Sequence, residues 1–292
     1  MLLRHIRYFL AVMEHRNFTR AAEALHVSQP TLSQQIRQLE DALGAQLLDR
    51  SGRTIRLTDA GKAYAQYARR ALQDLDAGKR AIHDARELTR GDLRLAMTPT
   101  FTAYLIGPLV ARFNATYPGI NLSVMEVNQD HIEALLAEDD LDIGIGFMEA
   151  RSVEIESRAW FVETLAVVVG KMHPYATRRR PLPIGEFEKA SLVLLSDDFA
   201  TRGHIDRYCQ EQGVKPHIAI EANSVSGIIE IVQHSDRLAT VLPGAVAHRH
   251  EGLCPVRLRE AMPQRTVALL QRKAAYRTAA CQAFLDMASE WS

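Results

Sequence analysis

One helix-forming stretch near the N-terminus carries side chains that can hydrogen-bond to the edges of nucleic-acid bases. Ser28 can cap a helix that runs to Leu43, with Pro30 tolerated in its first turn. Apolar residues at helical spacing hold one face on a core, which leaves hydroxyl, amide and guanidinium groups on the other side. These candidate DNA-contacting residues are Ser28, Gln29, Pro30, Thr31, Ser33, Gln34 and Arg37. Because the carboxylates Glu40 and Asp41 come only at the far end, the helix can approach phosphates in a major groove.

A short basic hairpin is predicted directly after this helix. A Ser-Gly turn signal lies between two short apolar runs within residues 47–57. Arg50, Arg53 and Arg56 fall within seven residues of this segment. An exposed basic hairpin beside a polar helix suits a phosphate backbone or a minor groove. Arg50 and Arg53 are therefore further candidate DNA contacts, with Arg53 nearest the tip.

The helices in front complete a helix-turn-helix pattern. Asn17 and Thr19 can cap a short helix, which ends at a break at His26-Val27 before Ser28. An amphipathic three-helix bundle with solvated polar faces is the alternative for any single helix. The combination of cap, break, polar helix and basic hairpin favours DNA binding.

A second set of candidate residues follows strands in the later part of the chain. From Asp92 the pattern changes to alternating strands and helices, which predicts an α/β region with largely parallel sheets. Hydroxyls next to helix N–H groups at strand ends make an arrangement that suits anions. The candidates are Thr98, Thr100, Thr102, Ser196, Thr201 and Asn223. The alternative is that each simply caps a helix.

Composition limits the class of protein. The formal net charge is zero, but residues 1–92 carry 15 Lys/Arg against 11 Asp/Glu and residues 93–292 carry 20 against 24. A basic first part suits a polyanion. The odd count of three cysteines excludes a disulfide scaffold, and a reducing cytoplasm is expected. The N-terminus is too charged for a secretory signal, and no apolar run reaches the ~18–20 residues of a membrane span.

A long helical stretch joins the two regions, roughly from Asp59 to Leu88, and Gly91 ends it. Tyrosine, alanine, leucine and isoleucine form its apolar stripe. At ~1.5 Å per residue such a helix exceeds ~40 Å in length. A lone helix of this length needs a partner, and a two-fold dimer supplies one.

The segment FTRAAEALHVSQPTLSQQIRQLEDALGAQLLDRSGRTIRLTDAG, residues 18–61, resembles the N-terminal signature of LysR-type transcriptional regulators. The resemblance implies an α/β fold with an all-α winged helix-turn-helix head, a dimerising linker helix and a two-lobed, type 2 periplasmic-binding-protein-like sensor. It also implies double-stranded DNA as partner, a small-molecule effector in the cleft between the lobes, a homodimer or homotetramer, and contact with RNA polymerase; no cofactor is implied. The implied domains are 1–58, 59–91 and 92–292, with lobe I at about 92–162 and 267–292 and lobe II at about 163–266.

Within the family, residues 98–109, 194–209 and 220–232 resemble the regulators of bacterial cyanate operons. That resemblance implies cyanate as the effector, activation of the genes that remove it, and repression of the regulator's own gene. A different small anion is the alternative effector.

Other classes of protein find less support. The sequence has no nucleophile elbow, P-loop or GxGxxG, so no catalytic residue is assigned and an enzyme is not expected. His248, His250 and Cys254 could suggest a metal, but such a surface group is more often incidental. A thiol-based redox sensor is a less favoured alternative, because no basic neighbour beyond Arg207 indicates a low thiol pKa. A solute-binding protein is also less favoured, because of the DNA-binding head and the missing signal sequence.

Overall fold

The computed structural model describes residues 3–51, 54–84 and 90–290. The chain divides into two compact units, Met1–Arg80 and Ala81–Ser292. Within the described residues, no helix is both long enough and apolar enough to cross a membrane.

The first unit is a helical domain with a two-stranded hairpin. Its elements are α1 Leu3–His15, α2 Phe18–Ala24, α3 Gln29–Leu43, β1 Leu48–Asp49, β2 Arg56–Leu57 and α4 Asp59–Asp84, whose last four residues are counted with the second unit. Phe9, Leu32, Ile36 and Leu39 are completely buried where the first three helices meet. The predicted helix-turn-helix and hairpin are therefore present. The linker helix is described to Asp84, and its predicted continuation to Leu88 lies outside the described residues.

Local capping explains where these helices begin and end. Asn17 accepts hydrogen bonds from the backbone N–H groups of Thr19 and Arg20, and Ser28 accepts one from Thr31. Gly44 ends α3 in the left-handed conformation, with a φ of 64° that favours glycine.

The base of the hairpin requires a glycine on α4. Thr58 caps α4, because its hydroxyl accepts from the N–H of Gly61 at 2.9 Å and donates to the carbonyl of Gln46 at 2.6 Å. A Cβ at Gly61 would lie 2.0 Å from the carbonyl oxygen of Leu47. The start of α4 can therefore lie against the segment before β1 only without a side chain there.

The second unit alternates strands and helices. Its elements are β3 Gly91–Met97, α5 Pro99–Thr102, α6 Ile106–Thr116, β4 Ile120–Glu126, α7 Gln129–Ala137, β5 Ile143–Phe147, β6 Ile155–Gly170, α8 Ile184–Glu188, β7 Ser191–Leu195, α9 Ala200–Glu211, β8 His217–Ala222, α10 Val225–Gln233, β9 Leu238–Pro243, α11 Gly244–Arg249, β10 Leu253–Val256, β11 Gln264–Arg272 and α12 Ala279–Ser289.

In the described part of the unit, nine strands form one mixed sheet in the order β4-β3-β5-β11-β6-β9-β7-β8, with β10 pairing β6. The expectation of largely parallel strands was wrong for the middle of the sheet. β11 runs antiparallel to β5 and β6, and β6 runs antiparallel to β9 and β10. The reason is that β6 and β11 are long strands that pass between the two halves in opposite directions.

These two strands join separate hydrophobic cores. Phe101, Phe113 and Phe284 are buried in the first half, and Phe187 and Leu192 are buried in the second. The first part of β6 pairs with β11, while its last part pairs with β9 and β10. The residues of β6 at which its pairing changes from β11 to β9 and β10, and the neighbouring residues of β11, therefore lie between the two halves.

Candidate nucleic-acid interface and ligand cavity

The polar face of α3 is exposed. Leu32, Ile36 and Leu39 of its apolar stripe are buried as predicted, whereas Leu43 at the end of the helix is exposed. Seven of the nine residues predicted to contact DNA are exposed in the structure, Ser33 is half-buried and Arg53 lies outside the described residues. The exposed ones are Ser28, Gln29, Pro30, Thr31, Gln34, Arg37 and Arg50. The hydroxyls of Ser28 and Thr31 lie 2.7 Å apart, so they share a hydrogen bond at the start of α3. Amides, hydroxyls and a guanidinium on one exposed helix are the groups that read a major groove.

Arg50 differs from the other candidates because it has partners inside its own domain. Its guanidinium donates to the carboxylate of Glu40 at 2.7 Å and lies 5.2 Å from the ring centroid of Phe18. Glu40 is not a free carboxylate on the far end of α3, because it also accepts from the backbone N–H groups of Leu47 and Leu48. Through these hydrogen bonds, the carboxylate of Glu40 holds α3 against the start of the hairpin.

A small cavity between the two halves of the second unit collects three of the six predicted effector residues. Thr98, Thr100 and Thr201 line it, together with Pro99, Asn128, Gln129, Phe147, Phe199 and Ala200. About 10 Å³ of its interior is open to the centre of a water molecule, roughly the room that one water needs. As it stands, the cavity therefore has room for about one water molecule.

The hydroxyls of Thr98 and Thr100 are buried and have no hydrogen-bond partner among the residues that the structure describes. An unpaired buried hydroxyl costs about 1–3 kcal/mol, which a bound acceptor would recover. The cavity also meets the N-terminus of the 12-residue helix α9, where Phe199 supplies no side-chain cap. The free N–H groups and the helix dipole there favour a negative charge.

The other three predicted effector residues lie outside this cavity's lining. Thr102 donates its hydroxyl to the carbonyl of Pro99 at 2.6 Å, which is a local cap. Asn223 precedes Ser224, and Ser224 is the residue that caps α10. Ser196 has a buried hydroxyl without a partner in the described structure, but it does not line the cavity.

A buried charge network behind the cavity was not predicted from the sequence. Arg265 on β11 donates from Nη1 to the hydroxyl of Thr201 at 2.8 Å, and from Nε to Glu163 on β6. Tyr104 donates its hydroxyl to the other oxygen of Glu163 at 2.5 Å. The guanidinium also lies 4.2 Å from the ring centroid of Phe147. No sequence signal marks Arg265, because the surrounding strand reads as a plain buried strand.

Burial and charge set the protonation of this network. Burial raises the pKa of Tyr104, and the neighbouring Glu163 raises it further, so the phenol stays a donor. Burial lowers the pKa of Arg265 while Glu163 opposes that effect, and an arginine remains charged. A larger cavity, with about 310 Å³ open to water, adjoins the network and is lined in part by Phe147, His204 and Arg265.

Burial keeps two of the three thiols, those of Cys209 and Cys281, in the protonated form. Burial raises the pKa of Cys209 to about 11 and that of Cys281 to about 12. Neither these two nor the half-buried Cys254 lines the small cavity. In the described part of the chain, no three His, Cys, Asp or Glu side chains come together as a metal site.

Comparison with known proteins decides the family. Residues 3–62 match the family model described as bacterial regulatory helix-turn-helix protein, lysR family, and residues 86–292 match the LysR substrate binding domain. The chain belongs to the LysR family of transcriptional regulators. It is therefore a DNA-binding regulator with an effector-binding domain, and its relatives are regulators and not enzymes.

Individual LysR relatives are similar over most of their length. The hydrogen peroxide-inducible genes activator of Pectobacterium carotovorum subsp. carotovorum is 30% identical over 275 residues, covering 93% of this chain and 90% of the relative. The RuBisCO operon transcriptional regulator of Allochromatium vinosum is 33% identical over 211 residues, covering 72% of this chain and 69% of the relative. Among solved structures, a full-length OxyR variant from Pseudomonas aeruginosa has a TM-score of 0.74 at 24% identity, covering 99% of this chain and 94% of that one. CbnR in complex with its target DNA has a TM-score of 0.68 at 22% identity, covering 100% of both chains.

Proposed function

We propose that this LysR-type regulator responds to a small anion, and that the anion binds among the hydroxyls of Thr98, Thr100 and Thr201. The observation that carries the proposal is the pair of buried, unpartnered threonine hydroxyls that line one small cavity. Such hydroxyls can donate to a ligand that brings only acceptors. The N-terminus of α9 adds a favourable potential for negative charge.

Cyanate is our first candidate for the anion. It is linear and has only three atoms, and its binding requires the cavity to widen beyond its present room for about one water. The stretches that resemble the cyanate operon regulator CynR include Thr98 to Leu109 and Leu194 to Cys209, which contain the three threonines. We propose that cyanate-bound protein activates the genes that remove cyanate and that the protein represses its own gene.

We further propose that α3 enters a major groove while Arg50 and Arg53 lie beside the phosphates, and that the protein acts as a homodimer or homotetramer that contacts RNA polymerase. Tyr67 and Leu75 on α4 support the oligomer, because their side chains are 70% and 50% exposed. Apolar groups on a long helix at these exposures favour a helical partner.

Peroxide sensing is the second candidate, because relatives carry that name. A peroxide-reactive cysteine needs an accessible thiolate. The raised pKa values of Cys209 and Cys281 oppose this function. We therefore prefer an effector that binds without covalent chemistry.

The experiment is a gel shift on the DNA upstream of this gene, with and without cyanate, using wild type and Thr100→Val. We expect cyanate to change the mobility or the footprint of the wild-type complex, and Thr100→Val to lose that change. The matched control is Thr240→Val, since Thr240 also has a buried unpartnered hydroxyl but does not line the cavity. A normal response of Thr100→Val would remove this cavity as the effector site.

The DNA interface is tested on the same fragment with Arg37→Ala. Loss of a groove contact from the guanidinium should weaken specific binding by about 1–3 kcal/mol. Arg237→Ala is the control, because it removes the same charge from a side chain that is 86% exposed in the second unit. Equal DNA affinity of both variants would contradict the placement of α3 in the major groove.

A separate variant, Arg53→Ala, tests the hairpin. It should lower the affinity for all DNA sequences and reduce the salt dependence of binding.

A further inference from the structure

We propose that Arg265 makes the cavity selective for an anion, and that it acts through the hydroxyl of Thr201 without lining the cavity itself. This inference rests on the proposed effector site. Arg265 is a positioning residue here, because it touches two lining residues, Thr201 and Phe147, and is absent from the lining.

One hydrogen bond in the network has a fixed direction. Arg265 has only donors, so its 2.8 Å contact with Thr201 makes the Thr201 oxygen the acceptor. The hydroxyl hydrogen of Thr201 is then left to donate, and Thr201 lines the cavity. A cation that donates to a hydroxyl also strengthens that hydroxyl as a donor. The bond therefore favours a ligand that accepts hydrogen bonds and disfavours one that donates.

One part of the Arg265 guanidinium has no partner within the network. The Arg265 side chain is only 3% exposed, and its Nη2 group has no hydrogen-bond partner in the described parts of the chain. Glu163 occupies the Nε side of the guanidinium and also accepts from Tyr104, which spreads its negative charge over a second donor. Buried charges interact strongly because the local dielectric constant is low. An anion beside Thr201 would thus add a favourable interaction with the guanidinium.

The four residues of the network come from both halves of the second unit. Tyr104 follows α5 in the first half, Thr201 lies on α9 in the second half, and Glu163 and Arg265 lie on the two connecting strands. The ligand-facing hydroxyl and the connecting strands are therefore joined by one chain of hydrogen bonds. Replacement of both charges should change ligand affinity more than replacement of Glu163 alone.

The test is calorimetric titration of the full chain with sodium cyanate, sodium azide and sodium formate, with urea as the neutral probe. The variants are Glu163→Gln, which keeps the cation, and the double variant Glu163→Gln/Arg265→Gln, which removes both charges without leaving one unpaired. We expect wild type to bind at least one of the three anions and not urea. The double variant should bind that anion roughly tenfold to a hundredfold more weakly, since it loses both the attraction between the buried guanidinium and the anion and the effect of the guanidinium on the Thr201 donor. Glu163→Gln should bind it at least as tightly as wild type.

If Glu163 and Arg265 only supported the fold, both variants would bind the anion more weakly than wild type and to the same extent. That result would overturn the inference. Binding of azide or formate but not cyanate would reject cyanate as effector and keep the role of Arg265. If wild type binds none of the three anions at millimolar concentration, both the anion site and the role of Arg265 are rejected. Circular dichroism checks folding, and if either variant does not fold, Thr201→Val and Thr201→Ser replace the pair. The serine variant keeps the hydroxyl and should bind, and the valine variant should not; equal affinity would again overturn the inference.

Discussion

The carboxylate of Glu40, on α3, lies 2.7 Å from the guanidinium of Arg50, which follows β1. The same carboxylate accepts from the backbone N–H groups of Leu47 and Leu48 at 2.9 and 3.1 Å. One side chain thus satisfies three donors at the point where the recognition helix meets the hairpin. Its side chain is 11% exposed, so these hydrogen bonds are sheltered from water.

We predict that Glu40→Ala lowers the free energy of unfolding by about 2–3 kcal/mol, because hydrogen bonds to a largely buried charge are lost. Urea unfolding measures this, and the neighbouring exposed residue supplies the control Asp41→Ala. Arg50→Ala should also destabilise the protein, and the double variant should lose less than the sum of the two single changes. If Arg50→Ala lowered DNA affinity without any loss of stability, Arg50 would be a DNA contact alone.

Two glycines on α4 should respond to alanine in opposite directions. Gly61→Ala places a Cβ 2.0 Å from the carbonyl oxygen of Leu47, so it should destabilise the protein by about 1–3 kcal/mol or more. Gly78 has nothing within 4 Å of an added Cβ, and Gly78→Ala should stabilise the helix by about 0.5–1 kcal/mol. Thermal unfolding of the two variants beside wild type tests the pair. A stable Gly61→Ala would mean that α4 does not lie against Leu47.

Stability should fall below neutral pH because of His204. Burial holds the pKa of His204 below its ordinary 6.5, and the charge of Arg265 lowers it further. In acid the unfolded chain therefore takes up a proton before the folded chain does. The stability that is present above about pH 6.5 is lost as the pH falls through the folded pKa.

The measurement for His204 is urea unfolding at about pH 7.5 and about pH 5.5. The free energy of unfolding should fall less in His204→Asn than in wild type between these two pH values. Part of the fall should remain because of His173, since burial lowers the pKa of that side chain too. His234→Asn is the control, because that side chain is 78% exposed. An identical decline in wild type and His204→Asn would show that His204 does not contribute.

Cys209 and Cys281 should resist alkylation in the folded protein. The thiolate is the reactive form, and burial raises the pKa of these thiols to about 11 and about 12. We expect iodoacetamide to modify both slowly in native buffer and rapidly in urea, as mass spectrometry of the peptides will show. Cys254, which is half-buried, is the internal reference. Rapid native modification of Cys209 would favour peroxide sensing over a non-covalent effector.

The amino-acid sequence by itself determined the local structure of the first unit. Asn17, Ser28 and Gly44 mark helix ends through hydrogen bonds and backbone freedom within a few residues of themselves. The apolar spacing of α3 likewise decides which face is buried, and so the exposed face could be predicted. The alternation of strands and helices in the second unit was predicted for the same reason.

Only the tertiary structure decided which distant residues share a site. The antiparallel course of β6 and β11 depends on pairing between segments more than 90 residues apart, which no local pattern encodes. That pairing places Arg265 against Thr201 and Glu163. The fold also decides that Thr102 and Asn223 lie outside the lining of the small cavity. The sequence likewise shows the charge of Arg50 but not its partner inside the domain, Glu40. Charge and capping are properties of short segments, whereas burial and pairing belong to the whole fold.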